Sequence, residues 1–141
     1  MTDLARKLGI VPGCSVALVD APAPAVTLLR DACPSGVTPA ELAENNERYD
    51  LIFLWPRTVA GLAERFAALQ WRIVPSGAIW VILAKKPVAR RRGITFTWDD
   101  VQAAALQTDL VDNKIAAFSQ EEYGTRFVIR RERRPSYAPG R

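Results

Sequence analysis

Apolar residues along the 141-residue chain alternate between two patterns. Near-continuous apolar runs, typical of strands covered on both faces by helices, lie at residues 14–19, 49–55 and 79–84. Two further strands are predicted at residues 111–119 and 125–133, and the short spacer between them ends in Gly124, which suits a left-handed turn position. Because so short a spacer favours antiparallel pairing, these last two strands are predicted to form a hairpin.

Between the strands, apolar residues recur at helical spacing. The first helix is predicted over residues 2–8, where Thr2 can cap its start and Gly9 its end. Further helices are predicted at residues 24–32, 59–73 and 98–107. Thr97 and Asp100 have the spacing of a capping box, which predicts the start of the last of these helices. Strands that alternate with helices and end in a hairpin predict a three-layer α/β Rossmann-like sandwich, with a mostly parallel sheet of about five strands and a C-terminal antiparallel hairpin.

Residues 37–44 fit two structures. Thr38 and Glu41 have the spacing of a capping box, which favours a short helix. Val37 and its neighbours could equally be the remnant of a further strand. The helix is the preferred prediction, and the strand stays open.

Length and composition indicate one globular domain. We expect an α/β domain over residues 1–134, followed by a disordered basic tail at residues 135–141. Apolar residues make up 49% of the chain and charged residues 24%, and no apolar run approaches the ~20 residues that cross a bilayer. The N-terminus shows no signal-peptide pattern, so we expect a cytoplasmic location and no membrane partner.

The residue types present exclude several kinds of chemistry. The chain has no histidine, which excludes a histidine-based triad, a histidine proton shuttle and nearly all zinc sites built from this chain. We therefore expect no metal site. Cys14 lies in a predicted strand and Cys33 at a predicted helix end, so both are interpreted as reduced structural thiols rather than a disulfide.

The net charge of +4 is unevenly distributed. One cationic cluster follows the strand at residues 79–84 and consists of Lys85, Lys86, Arg90, Arg91 and Arg92. It should therefore lie in a loop at the carboxyl edge of the sheet, where open α/β folds bind ligands. Ion pairing with Glu121 and Glu122 and binding of phosphate or nucleic acid are both open for it. A second cationic segment, 130–134, should lie at the opposite edge, so one continuous basic groove is not predicted.

Trp55 and Arg57 follow the second apolar run at the same predicted edge. With the cationic cluster they form the candidate cleft. The alternative for this pair is a packed aromatic ring beside a solvated arginine.

The turn after the first strand is the most informative stretch. It reads Asp-Ala-Pro-Ala-Pro-Ala-Val from Asp20 to Val26, where nucleotide-binding turns carry glycines that present backbone amides to the ligand. Pro22 and Pro24 have no amide hydrogen. Asp20 is interpreted first as a cap for the helix that begins near Pro24, and second as a cofactor ligand.

Three segments, at residues 8–20, 49–54 and 74–81, are similar to class I S-adenosylmethionine (SAM)-dependent methyltransferases, and the resemblance spans roughly residues 4–130. It implies that Asp20 occupies the acidic position of that family's acidic-x-Gly-x-Gly-x-Gly turn, with Pro22, Pro24 and Val26 in place of the glycines. Glu41 is then the nearby candidate for the acidic residue that holds the cofactor ribose.

The short region between Asp20 and Tyr49 and the hairpin that ends at Ile129 look like a small bacterial family of unknown function with trimmed methyltransferase cores. Because the glycines are missing, the resemblance implies a degenerate, non-catalytic binding or interaction module with no catalytic residues and no cofactor. The alternatives are a divergent SAM-dependent methyltransferase that uses Asp20 for cofactor binding, and polyanion or nucleic-acid binding through residues 85–92. A protein partner, a polyanion and a homodimer are all open.

Overall fold

A computed structural model of the protein describes residues 1–138. The helices are α1 (Asp3–Leu8), α2 (Ala23–Ala32), α3 (Leu62–Leu69), α4 (Lys86–Arg91) and α5 (Trp98–Ala105). The strands are β1 (Val16–Val19), β2 (Ala40–Glu41), β3 (Tyr49–Leu54), β4 (Ile73–Ala84), β5 (Leu110–Ala117) and β6 (Glu122–Ile129). Two 3₁₀ helices cover Gln70–Arg72 and Arg131–Tyr137.

The strands form one six-stranded sheet in the order β2-β1-β3-β4-β6-β5. The first four strands of this order are parallel, whereas β6 runs antiparallel to both β4 and β5. This arrangement confirms the predicted α/β fold with its C-terminal hairpin. Because the chain passes from β1 to β2 on one side and then to β3 on the other, the strand order reverses between β1 and β3. Open α/β sheets bind ligands beside such a switch point, outside the carboxyl ends of the strands.

Apolar side chains cover both faces of the sheet, which explains the unbroken apolar runs of the central strands. On one face, Leu62 and Phe66 of α3 and Val101 of α5 belong to the core cluster. On the other, Leu8 of α1 and Leu29 of α2 pack against the strands. The three layers are therefore two helical layers with the sheet between them.

Within residues 37–44, the two residues Ala40 and Glu41 form the short strand β2, and the preferred helix does not form. Ala40 and Glu41 pair with Ala17 and Leu18 of β1, and the Leu42 amide donates to the Leu18 carbonyl at 2.9 Å. The helix prediction is wrong because the exposed edge of β1 supplies hydrogen bonds that a capping box of one turn cannot match. The strand alternative is correct.

The cationic segment predicted as a loop contains the helix α4. Pro87 occupies the first turn, where its fixed φ suits a helix and its missing amide hydrogen costs no hydrogen bond. Val88 is buried and attaches the helix to the core. The loop prediction is wrong because Val88 is the only buried residue of this helix, and one apolar residue among polar ones gives no helical periodicity.

The strand β4 is longer than its apolar run indicated. It begins at Ile73, so the predicted helix over residues 59–73 is too long, and it includes residues 75–77, for which no strand was predicted. A shift in register against β3 between Tyr49 and Leu51 accommodates this segment. Gly124 likewise lies within β6 rather than in the turn. A glycine suits this position because a Cβ there would meet the Trp80 ring.

The predicted disordered tail differs from the structure at residues 135–137. The second 3₁₀ helix extends to Tyr137, whose side chain is completely buried. Its ring stacks on Trp71 with centroids 4.1 Å apart. Burial of this one aromatic ring outweighs the turn-forming composition around it, while residues 139–141 lie outside the described part of the chain.

No helix in the described residues is long and apolar enough to span a bilayer. The expected cytoplasmic location stays a prediction.

Candidate functional site

A cavity of about 430 Å³ opens at the carboxyl edge of the sheet. Its walls come from the ends of β1, β3 and β4, from α4 and the segment after it, and from the beginning of β6. The lining residues used below are Asp20, Pro22, Trp55, Arg57, Lys86, Arg90, Arg92, Phe96, Trp98, Glu122 and Tyr123. Its position beside the β1/β3 switch point and its volume, within the ~300–1,000 Å³ usual for ligand sites, make it the candidate functional site.

Asp20 lies at the end of β1 with a φ of 59°, in the left-handed region. Its carboxylate accepts a hydrogen bond from Arg65 of α3 at 3.0 Å. The predicted helix cap is wrong, because Pro22 occupies the N-cap position of α2 and no side chain caps that end. Asp20 therefore combines a place in the cavity wall with an ion pair across the turn.

The turn after Asp20 keeps backbone donors despite its prolines. The amides of Ala25 and Val26 both donate to the Pro22 carbonyl, at 3.0 and 3.1 Å. Among the hydrogen bonds of residues 1–138, none is donated by the amides of Asp20, Ala21 or Ala23. Of these three residues, Asp20 alone lines the cavity.

Trp55 and Arg57 both line the cavity, as the sequence predicted. Trp55 is 6% exposed, and its ring packs edge-on against Phe118 with centroids 5.8 Å apart. Its indole Nε1 is the only buried side-chain nitrogen or oxygen of residues 1–138 without a hydrogen-bond partner. A buried unpaired donor costs about 1–3 kcal/mol, which a ligand acceptor can recover.

The five predicted cations of the basic segment separate into two groups. Lys86, Arg90 and Arg92 line the cavity, whereas Lys85 and Arg91 do not. Ion pairing with Glu121 and Glu122, which the sequence left open, is present for Arg91 and Arg92. Within residues 1–138, the other three cations of this segment have no carboxylate partner.

These ion pairs fasten α4 to the turn before β6. Arg91 donates to Glu121 at 2.6 Å, and Arg92 donates to Glu122 at 3.1 Å. The Lys85 amide also donates to the Glu121 carbonyl at 2.9 Å. The Lys85 and Arg92 contacts hold α4, and with it the cavity wall that the helix provides, whereas the Arg91 pair is largely exposed and contributes little.

An aromatic wall of Phe96, Trp98 and Tyr123 was not predicted from the sequence. The Trp98 indole donates to Thr125 Oγ at 2.8 Å, which fixes the orientation of its ring. Burial raises the pKa of Tyr123, so its phenol stays neutral at physiological pH. The Thr97–Asp100 capping box correctly predicted where α5 begins, but no sequence signal placed that helix end beside β6.

Two expected features lie away from the cavity. Cys14 and Cys33 are unbridged thiols in contact with the core cluster beneath α1 and α2, and burial raises the pKa of both. Glu41 lies in β2 and does not line the cavity. Within residues 1–138, no group of three or more His, Cys, Asp or Glu side chains is placed to hold a metal ion.

No protein-family model matches the chain, and no curated protein sequence matches it. Solved structures do match its fold. The N-methyltransferase NodS from Bradyrhizobium japonicum WM9 superimposes with a TM-score of 0.60 at 14% identity, covering 89% of this chain and 92% of NodS. A putative type 11 methyltransferase from Sulfolobus solfataricus superimposes with a TM-score of 0.58 at 10% identity, covering 90% and 89%. LepI in complex with SAM superimposes with a TM-score of 0.55 at 10% identity, covering 89% of this chain and 39% of LepI.

These likenesses show that the fold is that of the class I SAM-dependent methyltransferases, as the resemblance implied. They correct one expectation. The interpretation that this chain takes no cofactor is contradicted, because structures with the same fold include methyltransferases and a protein solved with SAM bound. The missing glycines alone were too weak a reason to exclude a cofactor.

Proposed function

We propose that the chain is a divergent SAM-dependent methyltransferase whose cofactor lies against Asp20 at the carboxyl end of β1. The observation that carries this proposal is the position of the cavity: it opens at the carboxyl edge of a methyltransferase-like sheet, and Asp20 lines it. The likeness to NodS and to the Sulfolobus protein supports the same reaction class.

The residues present fit the cofactor through fewer donors than a glycine-rich turn offers. Pro22 and Pro24 cannot donate, but the unbonded amides of Asp20, Ala21 and Ala23 remain. The Asp20 carboxylate can accept hydrogen bonds from hydroxyl or ammonium groups of the cofactor. The case for a non-catalytic module depended on the glycines that Pro22, Pro24 and Val26 replace. The likeness of the fold to solved methyltransferases supports the enzyme better than that module.

The chemistry requires little of the protein beyond positioning. The bound cofactor would supply a methyl group already activated by its sulfonium. The chain's own residues then have to hold the acceptor in line, exclude water and leave the acceptor atom unprotonated. The buried Trp55 ring and the aromatic wall give the cavity apolar surface, and no histidine is needed for any of these tasks.

The test is calorimetric titration of the purified chain with SAM and with S-adenosylhomocysteine. Asp20→Asn should weaken binding of both by about 10- to 100-fold, since a hydrogen bond to a charged group is worth about 1.5–3 kcal/mol. Arg65→Gln is the matched control, because it breaks the same ion pair but leaves the carboxylate in the cavity wall. Absence of binding by the unaltered chain, or equal losses in the two variants, would refute the proposal.

A family assignment and a second candidate function are also proposals. On the short region between Asp20 and Tyr49, we place the chain with the small bacterial family of trimmed methyltransferase cores. A polyanion role for residues 85–92 is the second candidate, favoured by the absence of ion-pair partners for Lys85, Lys86 and Arg90 within residues 1–138. Such binding should weaken linearly in log salt.

A further inference from the structure

The two ends of the cavity differ in charge. At the β1 end, Asp20 is the charged lining residue, and Arg65 already neutralises part of its charge. Lys86 and Arg90 belong to α4, which follows β4, two strands away from β1 in the sheet, and Arg57 follows β3 between the two. None of these three cations has an ion-pair partner within the described residues, whereas Arg92 and Glu122, which also line the cavity, pair with each other. Three uncompensated cations therefore face one end of a small cavity.

The cofactor does not explain these cations. SAM carries a sulfonium and an ammonium against a single carboxylate, so its net charge is positive. A cation-rich wall repels such a molecule, and the repulsion is stronger where the cavity excludes water. A different, negatively charged occupant would account for the cations at this end.

Aromatic rings line the same cavity. Phe96, Trp98 and Tyr123 contribute rings, and Trp98 is held in place by its hydrogen bond to Thr125. Rings of this kind bind planar molecules through offset stacking or edge contacts. Trp55, whose buried Nε1 has no hydrogen-bond partner in the described residues, lines the same cavity.

We infer that the cation-rich end binds a small aromatic acid, a flat ring that carries an ionised carboxylate, as the methyl acceptor. That the aromatic acid accepts a methyl group rests on the proposed function, whereas binding of the acid can be measured without cofactor. Arg57, Lys86 and Arg90 attract the carboxylate, and the aromatic wall holds the ring.

The experiment compares three small probes by calorimetric titration. Para-hydroxybenzoate has the flat ring and the charge, para-hydroxybenzamide keeps the ring and loses the charge, and cyclohexanecarboxylate keeps the charge and loses the flat ring. We expect the benzoate to bind at least about tenfold more tightly than either control, since it alone uses both parts of the site. Equal affinity for the benzoate and the benzamide would overturn the inference.

Two neighbouring arginines of α4 provide a matched pair of variants. Arg90→Gln should weaken benzoate binding about fivefold, as for a partly exposed charge contact, and leave benzamide binding unchanged. Arg91→Gln removes a cation from the same helix that is paired with Glu121 and does not line the cavity, so benzoate binding should be unchanged. Equal losses in both variants would show only general attraction to a basic helix and would overturn the inference.

The outcomes separate this inference from the proposed function. If S-adenosylhomocysteine binds and the benzoate does not, the enzyme stands and the acceptor class is wrong. If the benzoate binds and no cofactor does, the aromatic-acid site stands without methyl transfer. If a single-stranded oligonucleotide binds more tightly than the benzoate and its binding is lost in both variants, the surface is a polyanion site and the inference fails.

Discussion

Replacing Tyr137 by Phe tests why the C-terminal segment is ordered. The Tyr137 ring is completely buried against Trp71, and its hydroxyl donates to Asp109 at 2.6 Å. Arg133 also donates to Asp109, at 3.2 Å. Two side chains thus converge on one carboxylate at the edge of the sheet opposite the cavity.

The expected loss in the free energy of unfolding is about 2 kcal/mol. A hydrogen bond to a charged acceptor is worth about 1.5–3 kcal/mol, and Arg133 remains to satisfy part of the Asp109 carboxylate. The ring and its stacking on Trp71 are retained in the Phe variant. Tyr137→Ala, which also removes the ring, should cost about 3–5 kcal/mol.

The pH dependence gives an independent signature. Burial, followed by the hydrogen bond to Asp109, holds the pKa of Tyr137 well above its ordinary value of 10.0. In the unfolded chain this phenol ionises near pH 10, whereas in the folded chain it stays neutral. Its contribution to stability is therefore fully present below pH 10 and is lost above it, by about 1.4 kcal/mol per pH unit.

The assay is urea unfolding of the unaltered chain and Tyr137→Phe between pH 7 and pH 11. The difference in unfolding free energy between the two proteins should be constant up to about pH 9.5 and then shrink as the pH rises. A constant difference throughout, or a loss below about 0.5 kcal/mol at pH 7, would show that the Asp109 hydrogen bond is not what orders the segment.

Two further predictions concern packing and capping. Gly124→Ala should cost about 1–3 kcal/mol in urea unfolding, because the added Cβ would lie 2.9 Å from Cε3 of the buried Trp80 ring; a neutral result would mean that the ring can move. Thr2→Ala should cost about 1–2 kcal/mol in the same assay, because Thr2 caps α1 through the Ala5 amide at 3.1 Å and donates to the Ala32 carbonyl at 2.8 Å. A loss of a few tenths would show that α1 is held by packing alone.

The parts of the fold that were predictable from the sequence are those fixed by local patterns. The Thr97–Asp100 box correctly predicted the start of α5, and the apolar run at residues 49–55 predicted β3. Both depend on interactions between residues a few positions apart, so they can be recognised from one short stretch of sequence.

The failures occurred where distant partners decide the structure. The β2 strand exists because β1 offers it an edge, and Gly124 lies in a strand because the Trp80 ring occupies the space above it. The aromatic wall has the same cause: Phe96 and Tyr123 are far apart in sequence and line one cavity only because β6 pairs with β4. Periodicity carries no information on such pairings.

The backbone at Asp20 shows what replaced the glycine-rich turn. Asp20 is the only non-glycine residue with a positive φ in the described part of the chain, and it stands where the chain leaves β1 beside the cavity. A non-glycine residue in this region costs of order 1 kcal/mol and persists mostly at functional sites. Asparagine tolerates the left-handed region as well as aspartate does. Asp20→Asn therefore keeps the backbone of the turn and removes only the charge, so a loss of cofactor affinity in that variant would report the carboxylate rather than a rearranged turn.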